Sequence, residues 1–153
     1  MKVEKIITKA EELEITGATL LSIEEAKNLP LRLRQYDDWW WLRSPGYFSF
    51  LAAYVHNDGS VDNYGYGVSD SIDAVRPALK IKNLKSSNFQ IGDVFIFGDK
   101  KFEIMREDYA FCLKNIGYHC FREDRRAIDA NQYEKSDVKK FVDKWFKKGC
   151  KNG

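Results

Sequence analysis

Proline and histidine are scarce, at three and two residues, and cysteine occurs three times in a chain of 153 residues. An odd cysteine count is a poor disulfide framework. Cys112, Cys120 and Cys150 lie eight and thirty residues apart, which fits no common zinc pattern. Adding His119 beside Cys120 still leaves a metal without a fourth ligand, so no metal and no cofactor is expected. The thiols read as free, as in a reducing compartment. Long apolar runs are missing too. Nothing has the length to cross a bilayer. The start, Met1-Lys2-Val3-Glu4-Lys5-Ile6-Ile7 followed by Glu11, Glu12 and Glu14, does not resemble a secretory leader. The expectation is a cytoplasmic protein without a membrane partner. Ten glycines and three prolines exclude a collagen-like chain. Charge of one sign is not in excess: 25 Lys+Arg against 23 Asp+Glu leave +2, too little to demand nucleic acid. No G-x-S-x-G elbow, H-E-x-x-H, phosphate-binding loop or dinucleotide fingerprint is present, and the chain reads as a non-enzyme.

Aromatic and apolar residues are abundant, at 14% and 44%. That suffices for an ordinary core and argues against disorder. Lys2 to Ile7 mixes apolar and charged residues as a short strand. Ser22 and Glu25 form a capping box opening a short helix, Ile23 to Leu29, that Pro30 must stop. A loop with Arg32, Arg34, Tyr36, Asp37 and Asp38 leads to Trp39-Trp40-Trp41-Leu42. In extended chain Trp39 and Trp41 share one face while Trp40 and Leu42 share the other. Both faces need cover, as in a central strand. Ser44-Pro45-Gly46 reads as a turn, and Phe50 to Val55 as a strand. Asp58-Gly59 marks a tight hairpin with its return from Val61, and Ser69-Asp70-Ser71 another turn. Val75 to Ile81 is a strand with Leu79 and Ile81 on one side and Pro77 at its beginning, an edge or a bulge.

Polar residues 82–89 are the best internal boundary. Beyond them Val94-Phe95-Ile96-Phe97 and Lys101 to Met105 flank Gly98-Asp99-Lys100 as a hairpin, and Tyr109 to Leu113 offers a third strand. Phe121 to Asp129 is charged and ambiguous. The last segment is the clearest helix. Ser136 or Asp137 can cap it; Val138, Phe141, Val142, Trp145 and Phe146 recur at helical spacing; Gly149 is its expected stop.

The pieces Trp40-Trp41-Leu42-Arg43-Ser44-Pro45-Gly46, Ala53-Tyr54-Val55 with Gly59, and Val75-Arg76-Pro77-Ala78-Leu79 resemble the WWLRSPG…VRPAL signature of an uncharacterised domain family of Firmicutes and their phages. Leu20-Leu21-Ser22 fits the same family. The order of small helix, Trp-rich strand, hairpin and terminal strand is similar, more loosely, to C-type-lectin-like domains, including the sulfatase-activating type. The resemblance implies an α+β fold: a small C-type-lectin-like mixed fold with antiparallel sheet and hairpins, one short N-terminal helix and one C-terminal amphipathic helix. Family members carry pieces like Ile91 to Gly98, Phe102-Glu103-Ile104 and Tyr133 to Phe146 ahead of the signature. Here they follow it, so the segment order reads as permuted, or as the end of one unit and the start of another. The expected organisation is a single domain over 1–150, built from 1–82 and 89–149. The family has no established activity.

Candidate binding residues follow. Trp39 lies outside the signature and is the tryptophan best placed for exposure, where its face can stack on a ligand; Trp40 and Trp41 suit the core. Tyr47, Tyr64 and Tyr66, with Phe48, sit on a glycine-rich surface suited to protein or glycan contacts. Arg43 and Arg76 can bind a carboxylate ligand, or pair with Asp37, Asp38 or Asp73 to tie loops together. His56, Asn57, Asp58, Asp62, Asn63, Asp70 and Asp73 offer oxygen to calcium, but no calcium loop is spelled out. Cys112, Cys120 and His119 would be needed for thiol chemistry, and adjacent residues 119 and 120 project apart. Residues 131–153 hold seven Lys and three acids, and Lys139, Lys140 and Lys144 line the helix for phosphate contacts. The leading expectation is a non-enzymatic binding module for protein or glycan through the Tyr-rich hairpin. The alternative is a small phage or mobile-element protein that binds or inhibits a host protein or nucleoprotein through its basic C-terminal helix.

Overall fold

The computed structural model describes residues 6–7, 13–70 and 72–152. Lys2 to Lys5 of the expected first strand, and Ser71 of the expected turn, lie outside the described residues. The architecture is α+β, with two sheets of mostly antiparallel strands. One sheet has six strands, β1 (Ile6–Ile7), β8 (Val94–Phe97), β9 (Lys100–Arg106), β10 (Tyr109–Cys112), β7 (Ala78–Ile81) and β2 (Ile15–Thr19), in that spatial order. The other has five: β11 (Tyr118–His119), β6 (Asp73–Ala74), β3 (Trp40–Pro45), β4 (Leu51–Val55) and β5 (Val61–Gly67). Among the described residues only β1 with β8 and β3 with β6 run parallel. The six-stranded sheet takes strands from both sides of residues 82–89.

The helices begin as the sequence dictates. In α1 (Ile23–Lys27) the Glu25 N–H donates to Ser22 Oγ and the Ser22 N–H to Glu25 Oε1, the two halves of the capping box. Pro30 ends α1 but does not open a plain loop. It is the N-cap of a second short helix, α2 (Leu31–Arg34), a position where no backbone N–H is missed. The expected single N-terminal helix is therefore two. In α3 (Asp137–Asn152), Ser136 is the cap, accepting from the Lys139 N–H at 3.0 Å. Gly149 does not stop α3, which runs on to Asn152. A Cβ at Gly149 would lie 2.5 Å from the Phe97 ring, so the glycine is there for close packing.

The tryptophan run alternates as extended chain requires. Trp40, Trp41 and Leu42 are fully buried in β3, which has neighbours on both sides. Trp40 and Leu42 face α1, α2 and the inner side of the six-stranded sheet, with Ala78, Tyr109 and Phe111. Trp41 faces the other way, with Tyr54, Val68, Val75, Phe121 and the α3 residues Val138 and Val142. Each buried indole N–H has a carbonyl: Trp40 donates to Arg34 O at 3.1 Å, Trp41 to His119 O at 2.9 Å. A third cluster covers the far face of the six-stranded sheet, joining Leu79, Phe95, Phe102 and Ile104 to Leu84, Phe89 and the partly buried Trp145 and Phe146. One helix thus closes two cores, through its first turns and its last.

The hairpins follow their turn residues. Gly98 and Asp99, both at positive φ (55° and 63°), join β8 to β9 in the two-residue form whose twist suits paired strands. The β4–β5 turn is wider than Asp58-Gly59 alone predicts. His56 and Ser60 pair across it, the His56 N–H donating to Ser60 O at 2.9 Å, and Asp58 Oδ1 accepts from the Ser60 N–H. Val75-Arg76-Pro77 is not strand. It is the corner where the chain leaves β6 of one sheet for β7 of the other, and Pro77 precedes β7.

Candidate functional site

The turn from β3 into β4 and the middle of β5 build one exposed aromatic cluster. Tyr54 pairs with Asp62 and Ala52 with Tyr66, so three residues of β5, Asn63 to Gly65, bulge opposite Ala53. Gly65, at φ 101°, turns the bulge; a Cβ there would lie 2.8 Å from Ala52 O. Asp62 braces it, accepting from the Gly65 N–H at 3.0 Å through Oδ1. The bulge throws Tyr64 outward, and its carbonyl accepts from the Tyr47 N–H at 2.7 Å. Tyr47 and Tyr64 stack at 5.5 Å and 9°, Phe48 and Phe50 at 5.6 Å and 1°, and Phe48 meets both tyrosines edge-on. Tyr47 is 73% exposed, Tyr64 55%, Phe48 45% and Phe50 44%. The turn is pinned from behind by Asn131 Nδ2, donating to Phe48 O at 3.0 Å.

Phe50 belongs to this cluster, although the sequence places it in a strand. The available signal was the absence of charge. Residues 44–55 and 63–69 contain no Asp, Glu, Lys or Arg, in a chain that is 31% charged.

Trp39 and Tyr66 form a neighbouring group. Trp39 is half-buried, its ring 5.1 Å from Tyr54, 5.4 Å from Tyr66 and 5.4 Å from His56. His56 Nε2 sits 2.9 Å from Asp62 Oδ2. Burial, then the Asp62 carboxylate beside it, pushes the Tyr54 hydroxyl up to about 12. Burial alone would raise Asp62, but the Gly65 N–H and His56 outweigh it and hold the carboxyl below its ordinary value. Sequence reasoning missed this Tyr54–Asp62–His56 arrangement, because hairpin register alone brings positions 54 and 62 together. Beside Trp39 lies an open cleft of about 270 Å³ lined by Asp37, Asp38, Asn57, Ile72 and Asp73.

The arginines are placed otherwise than expected. Arg43 pairs with Glu25, not with Asp37, Asp38 or Asp73, and donates to Leu20 O at 2.9 Å. The β3–α1 contact supplies that carboxylate, because the capping box already holds Glu25 in place. Burial tends to raise the Glu25 carboxyl, yet the Ser22 N–H and Arg43 together keep it below its ordinary value. Arg43 also borders a groove of about 380 Å³ with Tyr109 and Lys80. Arg76 is 1% exposed and is not offered to a ligand. Its acceptors are the carbonyls of Lys114, Leu33, Cys112 and Leu113, at 3.0, 2.8, 3.2 and 3.4 Å. Its Cζ lies 4.3 Å from the Tyr36 ring centroid, 4.6 Å from Phe111 and 4.8 Å from Trp40. Burial pushes the guanidinium down to about 10, still protonated at neutral pH.

The oxygen-bearing loop residues do not converge. Asp58 caps its own turn, Asp62 braces the bulge, Asp70 lies 3.6 Å from Arg125, and Asp73 is buried in β6. Among the described residues no group of three or more His, Cys, Asp or Glu is arranged to hold a metal ion, and no helix is long and apolar enough to cross a membrane. All three cysteines are free thiols. Burial pushes Cys112 up to about 11 and raises Cys120, away from the thiolate form that nucleophilic chemistry uses. On α3, Lys139 turns aside to Asp143 at 2.6 Å, and Lys140 lies 3.8 Å from Asp137. Lys144 is exposed.

Residues 8–83 match a protein family described as a domain of unknown function (DUF6273). An uncharacterised domain family thus covers the stretch that holds the Trp40–Leu79 signature, and the match ends before the segment from Ile91 onward. No curated protein and no solved structure is significantly similar to the chain.

Proposed function

We propose that this chain is a non-enzymatic binding module, of C-type-lectin-like type, that recognises a protein through the Tyr47–Phe48–Phe50–Tyr64 cluster. The observation that carries the reading is four exposed rings joined by ring contacts, borne on segments 44–55 and 63–69 that carry no charged side chain. The fully buried centres of protein interfaces have this composition, aromatic and depleted of charged residues. Most of the binding energy there comes from a few such anchors. Phe48 and Phe50 bring no hydrogen-bonding group, which favours a protein over a sugar. The rings are preorganised by each other, by the Gly65 bulge and by Asn131, which lowers the ordering cost of association.

The test is selection of peptides from a displayed library against the intact chain, beside a panel of oligosaccharides. Calorimetry of the best peptide follows with wild type, Tyr47→Ala and Tyr64→Ala. Each substitution is expected to weaken binding by at least about tenfold, that is about 1.4 kcal/mol, with the thermal midpoint unchanged. Peptide binding indifferent to both substitutions would remove the cluster from consideration. Oligosaccharide binding lost on the same substitutions would give the face to glycans instead.

A further inference from the structure

We propose that the outer face of α3 docks on the phosphate backbone of nucleic acid without reading its sequence. This rests on other residues than the aromatic cluster does. Val138, Val142 and Gly149 are buried on one side of α3, and Phe141, Trp145 and Phe146 pack beside them. The opposite side carries Lys140, Lys144, Lys147, Lys148 and Lys151, all exposed. They are spaced i, i+4, i+7, i+8 and i+11, one continuous arc of the helix. At 1.5 Å per residue they run about 16 Å, the axial span of about five base pairs at 3.4 Å each.

Acidic residues do not neutralise this ridge along most of its length. Asp137 reaches Lys140 in the first turn, and Asp143 is engaged by Lys139 beside the arc. Among the described residues no carboxylate lies within ion-pair distance of Lys144, Lys147, Lys148 or Lys151. Net charge is concentrated accordingly: residues 131–153 carry +4 while the whole chain carries +2. Four ammonium groups without a carboxylate partner among the described residues, on a helix that packs over two cores, form a positive strip.

The chemistry selects the partner. The arc has no aromatic or aliphatic side chain, and lysine is depleted at protein interfaces. It also has no arginine, the residue that reads base edges bidentately. Lysines that act as point charges suit phosphates, whose binding is driven by counterion release and needs neither apolar contact nor base readout.

The experiment is fluorescence anisotropy of the intact chain with labelled mixed-sequence DNA and RNA duplexes at increasing KCl, with polyglutamate of matched charge as competitor. Binding is expected to fall with salt at a log–log slope of about −4, from about −0.9 for each of four or five lysines. Replacing Lys144, Lys147, Lys148 and Lys151 together by Gln is expected to weaken binding at least about tenfold at low salt and to flatten the slope by about 3.6. Replacing the same four by Arg is expected to retain binding. Circular dichroism of both variants should match wild type, because none of the four side chains enters a core. A slope near zero, or a Gln variant that binds like wild type, would overturn the proposal. Polyglutamate bound as tightly as duplex would overturn it as well and assign the face to an acidic protein.

Discussion

Arg76 is a cation inside the core, and among the described residues none of its hydrogen-bond partners is a carboxylate. Four backbone carbonyls and three ring faces replace its water, and each ring face attracts a cation. Removing the side chain strands buried carbonyls, each costing about 1–3 kcal/mol when left unsatisfied. Arg76→Met is therefore expected to lose at least about 3 kcal/mol despite its similar length and apolar character, measured by urea unfolding. Arg76→Lys keeps the charge but not the planar fork or its stacking, and is expected to recover only part of the loss. An arginine that served an external carboxylate would instead leave stability nearly untouched when replaced. The sequence displayed Arg76 between apolar neighbours and left two readings open, a site for a carboxylate ligand or a loop-tying pair with an aspartate. It could not show that the partners are carbonyls, because Leu33, Cys112, Leu113 and Lys114 come to it from 36 to 43 residues away.

At the scale of the element, α3 was legible almost residue by residue from its apolar spacing and its serine cap. Its end was not. A glycine after a periodic run reads as a stop, and Gly149 is instead a notch for Phe97. The distinction lies in tertiary contact: Phe97 stacks on Phe146 at 5.5 Å and meets Trp145 edge-on at 5.7 Å, so its ring has little room to yield. Gly→Ala inside a helix ordinarily stabilises by about 1 kcal/mol. Here the sign is expected to reverse, with Gly149→Ala costing about 1–3 kcal/mol through overpacking, read as a lowered urea midpoint. A stabilised variant would show that Phe97 gives way. The capping box, the Gly98-Asp99 hairpin and the alternation of the three tryptophans were equally legible, because each depends on neighbours in sequence. The β5 bulge, the α2 turn after Pro30 and the Arg43–Glu25 pair were not, since each is decided by a segment arriving from elsewhere. The aromatic cluster was half visible: Tyr47, Phe48 and Tyr64 by their surroundings, while Phe50, read as strand, shared only the charge-free segment and is assigned by its packing on Phe48.

For the whole molecule, the limits of the family match and the limits of the sheets do not coincide. Residues 8–83 include β2 and β7, yet β7 pairs with β10, and the core beneath Trp40 is completed by Tyr109 and Phe111. Arg32 of α2 also reaches Glu103 of β9 in a two-pronged ion pair at 2.7 and 3.0 Å. The stretch 1–88 is therefore expected to lack cooperative unfolding when produced alone, and to regain it on mixing with 89–153, as followed by tryptophan fluorescence during urea titration. A fragment 1–88 that unfolds cooperatively by itself would show that the first cores close without the second segment.

The corner at Val75-Arg76-Pro77 also has a consequence in time. Its guanidinium can be satisfied only after α2, β3 and the segment following β10 have all arrived, which requires closing long loops before any contact rewards them. Such a contact is expected to form on the native side of the folding barrier, so that Arg76→Met raises the unfolding rate and leaves the folding rate nearly unchanged in stopped-flow urea kinetics; an equal loss in the folding rate would place the contact in the nucleus instead. Arg76 then acts as a latch on an assembled molecule. It sets how long the native state persists once formed and leaves the speed of its formation largely to the hairpins and helices around it.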